Sequence, residues 1–150
     1  MSFFVVIPAR YDSRRLPGKP LADIAGKPMI QYVYESAKKS SAEDVIVATD
    51  DSRILEAVEK FGGKALLTSK DHRSGTERIQ EVTNELDLSL NDIVVNVQGD
   101  EPLIPPEAID IVAASLKGKK DFGIATLCES ATQGMENPNI VKVVMNSFGE

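Results

Sequence analysis

The stretch FFVVIPAR, residues 3–10, decides the class of fold. Its first six residues form a short, continuous apolar run rich in Val and Ile, which is typical of a strand buried on both faces. Such strands belong mainly to parallel sheets that are covered by helices on both sides. Arg10 follows directly, so the sequence places a cation where this first strand ends.

Similar apolar runs alternate with helical segments along the rest of the chain. Strands are predicted at residues 3–8, 44–48, 64–67, 92–97, 122–127 and 141–145, and helices at residues 29–39, 54–61, 76–88 and 107–116. This alternation indicates βαβ units with right-handed crossovers. We therefore predict an α/β three-layer sandwich with a mostly parallel, Rossmann-like sheet, in which residues 1–150 form one domain.

The segments that follow three of the predicted strands are polar. PAR (8–10) follows the first strand, TDD (49–51) the second and QGDEP (98–102) the fourth. Ligands of open α/β sheets bind beyond the carboxyl ends of the strands. The sequence therefore predicts a polar binding site at that edge of the sheet.

The loop ARYDSRRLPGKP, residues 9–20, is strongly basic. It contains four cationic residues, Arg10, Arg14, Arg15 and Lys19. Such side chains and backbone N–H groups can surround phosphate oxygens. The loop is neither a Walker motif nor a dinucleotide fingerprint, because the required glycine spacing is absent. A solvated surface loop is the alternative, but the position after the first strand favours a nucleotide triphosphate.

Asp100 is the candidate metal ligand. It lies beside Gly99 just after a strand, where one carboxylate can hold Mg²⁺ and leave room for substrate phosphates. The alternative is an exposed Asp-Glu turn, which describes Glu101 well. A carboxylate and a basic loop at two carboxyl ends of one sheet are what a metal–triphosphate site requires.

The segment HRSGTER, residues 72–78, precedes a predicted helix. Ser74 or Thr76, followed by Glu77, can cap that helix, and the free N–H groups of its first turn can also face a base or ribose. His72 is the single histidine, and we expect a structural role for it. Cys128 ends an apolar run, so we expect a buried thiol.

The composition excludes several classes of function. The net charge of −6 disfavours electrostatic binding of long nucleic acids, so we expect no nucleic-acid partner. No apolar run approaches the ~20 residues of a membrane span. Residues 1–8 lack the charged leader of a signal peptide, and one cysteine forms no disulfide framework. These features predict a cytoplasmic protein that does not bind membranes.

These motifs together resemble those of the 3-deoxy-manno-octulosonate cytidylyltransferases. The similar stretches are IPARYDSRRLPGKPLADIAGKPMI (7–30), VATD (47–50), DHRSGTERIQEV (71–82), VVNVQGDEPLIP (94–105) and NPNIVKVV (137–144). The resemblance implies a nucleotidyltransferase fold. It also implies that CMP passes from CTP, with Mg²⁺, to the sugar acid 3-deoxy-manno-octulosonate (KDO), for lipopolysaccharide or capsule synthesis.

The resemblance also assigns residues. Arg10, Arg15 and Lys19 would hold the triphosphate, Ala9 would be a further nucleotide-binding residue, and Asp100 would bind Mg²⁺. The nucleotide pocket would be lined by Ser74, Gly75, Thr76, Arg78 and Gln98. Arg10, Lys19 and Asp100 are thus the predicted catalytic residues, acting by positioning and charge neutralisation rather than by covalent chemistry.

Members of that family are longer than this chain, so we expect the chain to be the nucleotide-binding portion of a longer protein. The absent portion would supply much of the sugar-acid pocket, a second metal-binding aspartate and much of a homodimer contact. Two alternatives stay open. One is a cytidylyltransferase for another sugar acid, such as sialate, and the other is a non-catalytic nucleotide-binding fragment.

Overall fold

The computed structural model of the protein describes residues 2–12, 16–119, 121–130 and 133–147. Its strands are β1 (Phe3–Ala9), β2 (Asp23–Ile24), β3 (Lys27–Pro28), β4 (Asp44–Thr49), β5 (Ala65–Leu67) and β6 (Ile93–Asn96). Its α-helices are α1 (Met29–Ala37), α2 (Ser52–Lys60), α3 (Gly75–Glu85) and α4 (Pro106–Leu116), and a short 3₁₀ helix spans Lys19–Leu21.

The main sheet of the described residues is parallel, with strand order β5-β4-β1-β6. The central strand β1 pairs with β4 from Phe4↔Asp44 to Ala9↔Thr49, and with β6 from Phe3↔Ile93 to Val6↔Asn96. The chain first builds β4 and β5 on one side of β1 and then crosses to β6 on the other. The strand order therefore reverses at β1, and ligand sites form in the crevice at such a reversal.

Alternation along β1 divides the interior into two layers. Val5 and Ile7 are fully buried against residues of α1, α2 and α4, whereas Val6 lies in a second cluster with Ile79 and Val82 of α3. Helices thus cover both faces of the sheet, because successive strand residues point to opposite faces. The predicted α/β three-layer sandwich is confirmed.

The four predicted helices and the first four predicted strands are confirmed, with their ends shifted by three residues at most. Local chemistry explains two helix starts: Asp51 accepts a hydrogen bond from Arg53 N at 3.0 Å to cap α2, and Ser74 caps α3. After α2, Gly62 adopts a φ of 80°, which ends the helix at low steric cost.

The strand predictions for residues 122–127 and 141–145 are wrong. Neither segment pairs with the sheet, and Ile124, Val141 and Val144 are each more than 80% exposed. A β-branched sequence favours an extended chain, but a strand also needs a neighbour for its N–H and C=O groups. Residues 123–127 instead border a groove of about 510 Å³ along the open edge of β6.

Two further expectations concern the surface of the molecule. Cys128 is exposed, so the prediction of a buried thiol is wrong. It follows residues 122–127, which are not part of a helix or strand. Within the described ranges, no helix is both long and apolar enough to cross a membrane.

Candidate functional site at the carboxyl ends of β1 and β6

The ends of β1 and β6 approach each other closely at Gly99. A Cβ atom at this position would lie 2.9 Å from the backbone oxygen of Pro8, inside the distance that real side chains tolerate. Gly99 is therefore required by the close approach of two backbones rather than by its own torsion angles. This approach brings the segment after β6 against the segment after β1.

Lys19 and Asp100 meet at this crevice although 81 positions separate them in the chain. The Lys19 Nζ atom lies 2.6 Å from Asp100 Oδ2, and the two side chains are 36% and 49% exposed. The predicted phosphate-binding cation and the predicted metal ligand are thus neighbours. Both are accessible, so each can exchange this partner for an incoming ligand.

Lys19 owes its position to a closed loop. Gly18 N donates to the carbonyl oxygen of Tyr11 at 2.8 Å, and Gly18, with a φ of 70°, packs directly on the Tyr11 ring. The Arg53 guanidinium also stacks over that ring, and its centre lies 3.3 Å from the ring centroid. The cation–π contact with Arg53 and the packing of Gly18 hold the Tyr11 ring in place, and Tyr11 in turn supports the two ends of the basic loop.

Arg53 is itself held by the carboxylate that caps α2. Its Nε and Nη2 atoms donate to Asp51 at 2.8 and 2.7 Å in a bidentate pair. This pair lowers the pKa of Asp51 and raises that of Arg53. Asp51 therefore starts a helix and also anchors the cation that supports Tyr11.

Arg10 is positioned by the loop before α3. Its Nη2 atom donates to the carbonyl oxygen of His72 at 2.8 Å. A guanidinium has five N–H donors and this contact uses one of them, so other donors can meet an anion. The His72 ring is bonded in turn to Glu81 on α3, which agrees with the expected structural role of this histidine.

The first turn of α3 faces the same edge of the sheet. Ser74 Oγ accepts from Glu77 N at 3.2 Å, which confirms the capping prediction. A Cβ atom at Gly75 would lie 3.3 Å from the Pro8 ring, so the helix start packs against the end of β1. Thr76 is exposed beside them. Their contact with a nucleotide stays a prediction.

Arg78 lies inside the protein rather than on a pocket wall. Its side chain is 0% exposed; Nη2 donates to Asp50 at 2.7 Å, and Nη1 donates to the Thr68 hydroxyl and to Ser69 O. Burial lowers the pKa of Arg78, and Asp50 opposes that shift. The geometry favours a positioning role, in which Arg78 ties α3 to the ends of β4 and β5.

Two other predicted residues flank the crevice. Ala9 is the last residue of β1 and its methyl group is buried in the core, so only its backbone can reach a ligand. Gln98 is exposed beyond β6, and its Nε2 atom donates to Asn96 Oδ1 at 3.0 Å. The predicted contribution of Arg15, and the cation Arg14 beside it, lie outside the described residues.

From sequence, Asp50 was expected only as part of the polar segment after β4, with no partner, and no role in this site was predicted for Glu81 or Tyr11. Alternation gives a signal for Asp50: Pro8 and Arg10 share the α3 face of the sheet with Ala48, and Asp50 continues that series. Glu81 and Tyr11 act through contacts between segments distant in sequence or across a loop. No pattern of residue spacing in the sequence predicts a role for Glu81 or Tyr11 in the site.

The donor set suits a metal ion that arrives with phosphates. Within the described ranges, no group of three or more His, Cys, Asp or Glu side chains could hold an ion by itself. Mg²⁺ usually keeps several waters and binds one or two carboxylates together with substrate phosphates. The Asp100 carboxylate therefore fits as a single protein anchor for such an ion.

The chain is similar in sequence to proteins of one enzyme family. The family described as Cytidylyltransferase matches residues 4–149. The 3-deoxy-manno-octulosonate cytidylyltransferase of Idiomarina loihiensis is 60% identical over 99% of this chain, and that of Pseudomonas fluorescens is 61% identical over 99%. The chain spans 60% and 59% of the length of these two curated relatives.

Solved structures show the same fold. A CMP:2-keto-3-deoxy-manno-octonic acid synthetase, solved in complex with CTP, matches 79% of this chain and 48% of its own, with 49% identity and a TM-score of 0.74. A 4-diphosphocytidyl-2C-methyl-D-erythritol synthase, at 12% identity, shares the fold over 79% of this chain and 56% of its own, with a TM-score of 0.64. By the match over residues 4–149 and the fold that it shares with these enzymes, the chain belongs to the cytidylyltransferase family.

Proposed function

We propose that this chain forms the nucleotide-binding part of an enzyme that transfers CMP from CTP to the anomeric hydroxyl of KDO. The observation that carries the proposal is the pairing of Lys19 with Asp100 at the strand-order reversal. It brings a cation and a carboxylate, which match a triphosphate and its metal ion, to the position where α/β sheets bind ligands. The names of the curated relatives support CTP and KDO as substrates.

In the proposed reaction, the anomeric oxygen of KDO forms a bond to the α-phosphorus of CTP. The bond from that phosphorus to the bridging oxygen breaks, pyrophosphate leaves with the electron pair, and the hydroxyl proton passes to solvent. The roles of this chain are to hold and orient the triphosphate with Arg10 and Lys19. Negative charge accumulates on the departing pyrophosphate, and these cations would stabilise it there.

Asp100 would hold Mg²⁺ on the nucleotide phosphates. When bound, the ion neutralises phosphate charge and favours departure of pyrophosphate. If the ion took the place of Lys19 at Asp100, the ammonium group would be free to contact the phosphates. Lys19 and Asp100 would then exchange their mutual contact for contacts with the ligand.

The nucleotide would enter between α3 and the end of β6. The first turn of α3, at Ser74–Thr76, offers N–H groups and hydroxyls to the ribose or base, and Gln98 offers an amide from the opposite side. In the whole protein we also propose a homodimer, a cytoplasmic location and a supply of CMP-KDO for lipopolysaccharide or capsule synthesis.

Pyrophosphate release tests the proposal. The 150-residue chain and the chain extended to the length of its relatives are each incubated with CTP, Mg²⁺ and either KDO or sialate. We expect the extended protein to release pyrophosphate with KDO and not with sialate. Pyrophosphate release with sialate but not with KDO would identify sialate as the acceptor. CTP binding without pyrophosphate release in the presence of either acid would favour a non-catalytic nucleotide-binding protein.

The Asp100→Asn variant tests the metal assignment within the same assay. Its amide keeps the size of the side chain and loses the charge, so we expect pyrophosphate release to fall by at least about a hundredfold while the protein stays folded. Glu101→Gln is the matched control, because Glu101 is the neighbouring exposed carboxylate. Equal activity of Asp100→Asn and Glu101→Gln would remove Asp100 from the metal site.

A further inference from the structure

Arg10 depends on a loop that the nucleotide need not touch. The loop of residues 68–74 connects β5 to α3, and its His72 carbonyl oxygen is the acceptor that holds the Arg10 guanidinium at 2.8 Å. A long, flexible side chain gains affinity for phosphate when its orientation is set before the ligand arrives. The position of the His72 backbone therefore controls how ready Arg10 is for an anion.

Glu81, two turns into α3, controls that backbone. One of its carboxylate oxygens is hydrogen-bonded to the His72 ring, and the same carboxylate accepts from Ser69 N at 3.0 and 3.3 Å. The carboxylate thus bonds to the loop at two points three residues apart. These bonds lower the pKa of Glu81, which keeps it ionised and able to accept from both.

Two other residues of α3, Glu77 and Arg78, hold the two ends of the loop, whereas Glu81 contacts its middle. Glu77 accepts from Arg73 N at 2.7 Å, and Arg78 donates to Thr68 and Ser69 at the other end. Removal of Glu81 would leave both of these attachments in place. The middle of the loop, which carries the acceptor of Arg10, would lose its closest side-chain contact. The His72 ring would keep only the longer contact between its Nδ1 atom and Glu77 Oε2, at 4.0 Å.

We propose that Glu81 is a positioning residue for the phosphate-binding Arg10 and acts through His72. The inference rests on the proposed nucleotide-binding function and deepens it. Within the described part of the chain, Glu81 forms no hydrogen bond or ion pair with Arg10; its effect passes along the loop to a single carbonyl oxygen. Loss of Glu81 should therefore weaken nucleotide binding only while Arg10 is present to use that oxygen.

A double-mutant cycle tests this dependence. Calorimetric titration of CTP with Mg²⁺ into the full chain is compared for Glu81→Ala, Arg10→Ala and the double variant. We expect Glu81→Ala to weaken binding about five- to tenfold, in line with the cost of ordering one long side chain. The double variant should bind as Arg10→Ala does, because the two substitutions remove one and the same contribution.

Two other variants serve as a negative control and as a conservative substitution. Glu85→Ala is the matched control, because Glu85 lies one turn later on α3 and is exposed, and it should bind as the unmodified chain does. Glu81→Gln keeps an oxygen that can accept from Ser69 N, so it should recover part of the lost affinity. Additive effects of Glu81→Ala and Arg10→Ala, or unchanged binding by Glu81→Ala, would overturn the inference.

Two outcomes need a second measurement. If Glu81→Ala does not fold, as judged by circular dichroism, His72→Ala takes its place in the cycle with the same expected non-additivity. If the unmodified chain binds no CTP, the proposed function fails. The inference is then judged by NMR of the Arg10 guanidinium, whose rotation should become faster in Glu81→Ala; an unchanged rate would overturn it.

Discussion

At the scale of single residues, the site depends on contacts that exposed side chains make with each other. Lys19 and Asp100 form an ion pair that is one-third to one-half exposed, so the pair itself adds little to stability. The ion pair matters for ligand binding because it lies at the crevice where the ends of β1 and β6 approach each other. Substitutions here should therefore affect ligand binding far more than the free energy of unfolding.

Replacement of Lys19 by Ala should weaken CTP binding by about ten- to a hundredfold, the range for loss of a charge-assisted hydrogen bond to phosphate. Titration calorimetry measures the change. Lys64→Ala is the matched control, because Lys64 forms a similar exposed ion pair with Asp44 at the opposite end of the sheet. Similar losses in both variants would show a general charge effect rather than a contact at the crevice.

Replacement of Gly99 by Ala should separate the ends of β1 and β6. The added Cβ would lie 2.9 Å from Pro8 O, and a backbone atom cannot move aside as a flexible side chain does. We expect a loss of about 1–3 kcal/mol in the free energy of unfolding and weaker CTP binding. Gly123→Ala serves as control, because nothing lies within 4 Å of its added Cβ; chemical denaturation compares the two.

At the scale of elements, α3 is the piece that joins the site to the sheet. Its first turn packs on Pro8, its acidic residues hold the loop before it, and Arg78 reaches the end of β4. A single helix therefore sets the position of Arg10 from one side of the sheet. The loop that carries Lys19 is set from the other side, by the Tyr11–Arg53 contact at the start of α2.

Replacement of Arg78 by Met should be strongly destabilising. It leaves the Asp50 carboxylate, which is 16% exposed, without its partner, and breaking a buried pair in this way costs about 3–5 kcal/mol. Denaturant unfolding of Arg78→Met and of Lys27→Met gives the comparison, since the Lys27–Glu35 pair is about 40% exposed. A loss below about 1 kcal/mol for Arg78→Met would contradict a structural role for this pair.

The elements were predictable from sequence where a pattern of burial identifies them. β1, β4 and β6 are continuous apolar runs because both faces of each strand are covered, and the four helices carry apolar residues at helical spacing. Residues 122–127 have the same apolar character and form no strand, because pairing depends on a neighbour that local sequence does not specify. The β-propensity of these residues predicts an extended chain, but the topology of the sheet determines whether that chain pairs as a strand.

The site was predictable to the extent that strand ends and loop composition identify it. Arg10, Lys19 and Asp100 follow from their positions after β1 and β6 and from the resemblance, and the structure brings Lys19 and Asp100 together. Arg78 was expected at the pocket wall and is buried. Local sequence does not distinguish a buried arginine paired with Asp50 from an exposed one. The pairing of Arg78 with Asp50 depends on the register between strands, which cannot be predicted from local sequence.

At the scale of the whole molecule, acid should destabilise the fold through its bonded carboxylates. Hydrogen bonds lower the pKa of Glu81 below its ordinary value of 4.5 and that of Asp51 below 3.8. The unfolded chain then binds more protons than the folded one, so the stabilisation is complete above the ordinary values and is lost as the pH falls through the folded values. Thermal unfolding between pH 7 and pH 3 measures this loss, which should be smaller in Glu81→Gln.

The molecule also has an unprotected face. The β6 edge is open beside the groove bordered by residues 123–127, and apolar side chains of residues 140–145 are exposed. An open edge next to exposed apolar groups favours pairing between copies. We expect the 150-residue chain to self-associate as its concentration rises, which light scattering detects; a monomer at every soluble concentration would contradict this expectation.

The central claim is that the crevice between the ends of β1 and β6 binds the triphosphate of CTP. Backbone NMR of the chain during titration with CTP and Mg²⁺ tests it most directly. The account predicts that the amide signals that shift belong to residues 9–12, 16, 18–19, 72–78 and 98–101, while those of Lys64 and Asp44 stay unchanged. Shifts confined to the groove along β6 and α4, or no shifts at any concentration of CTP, would contradict it.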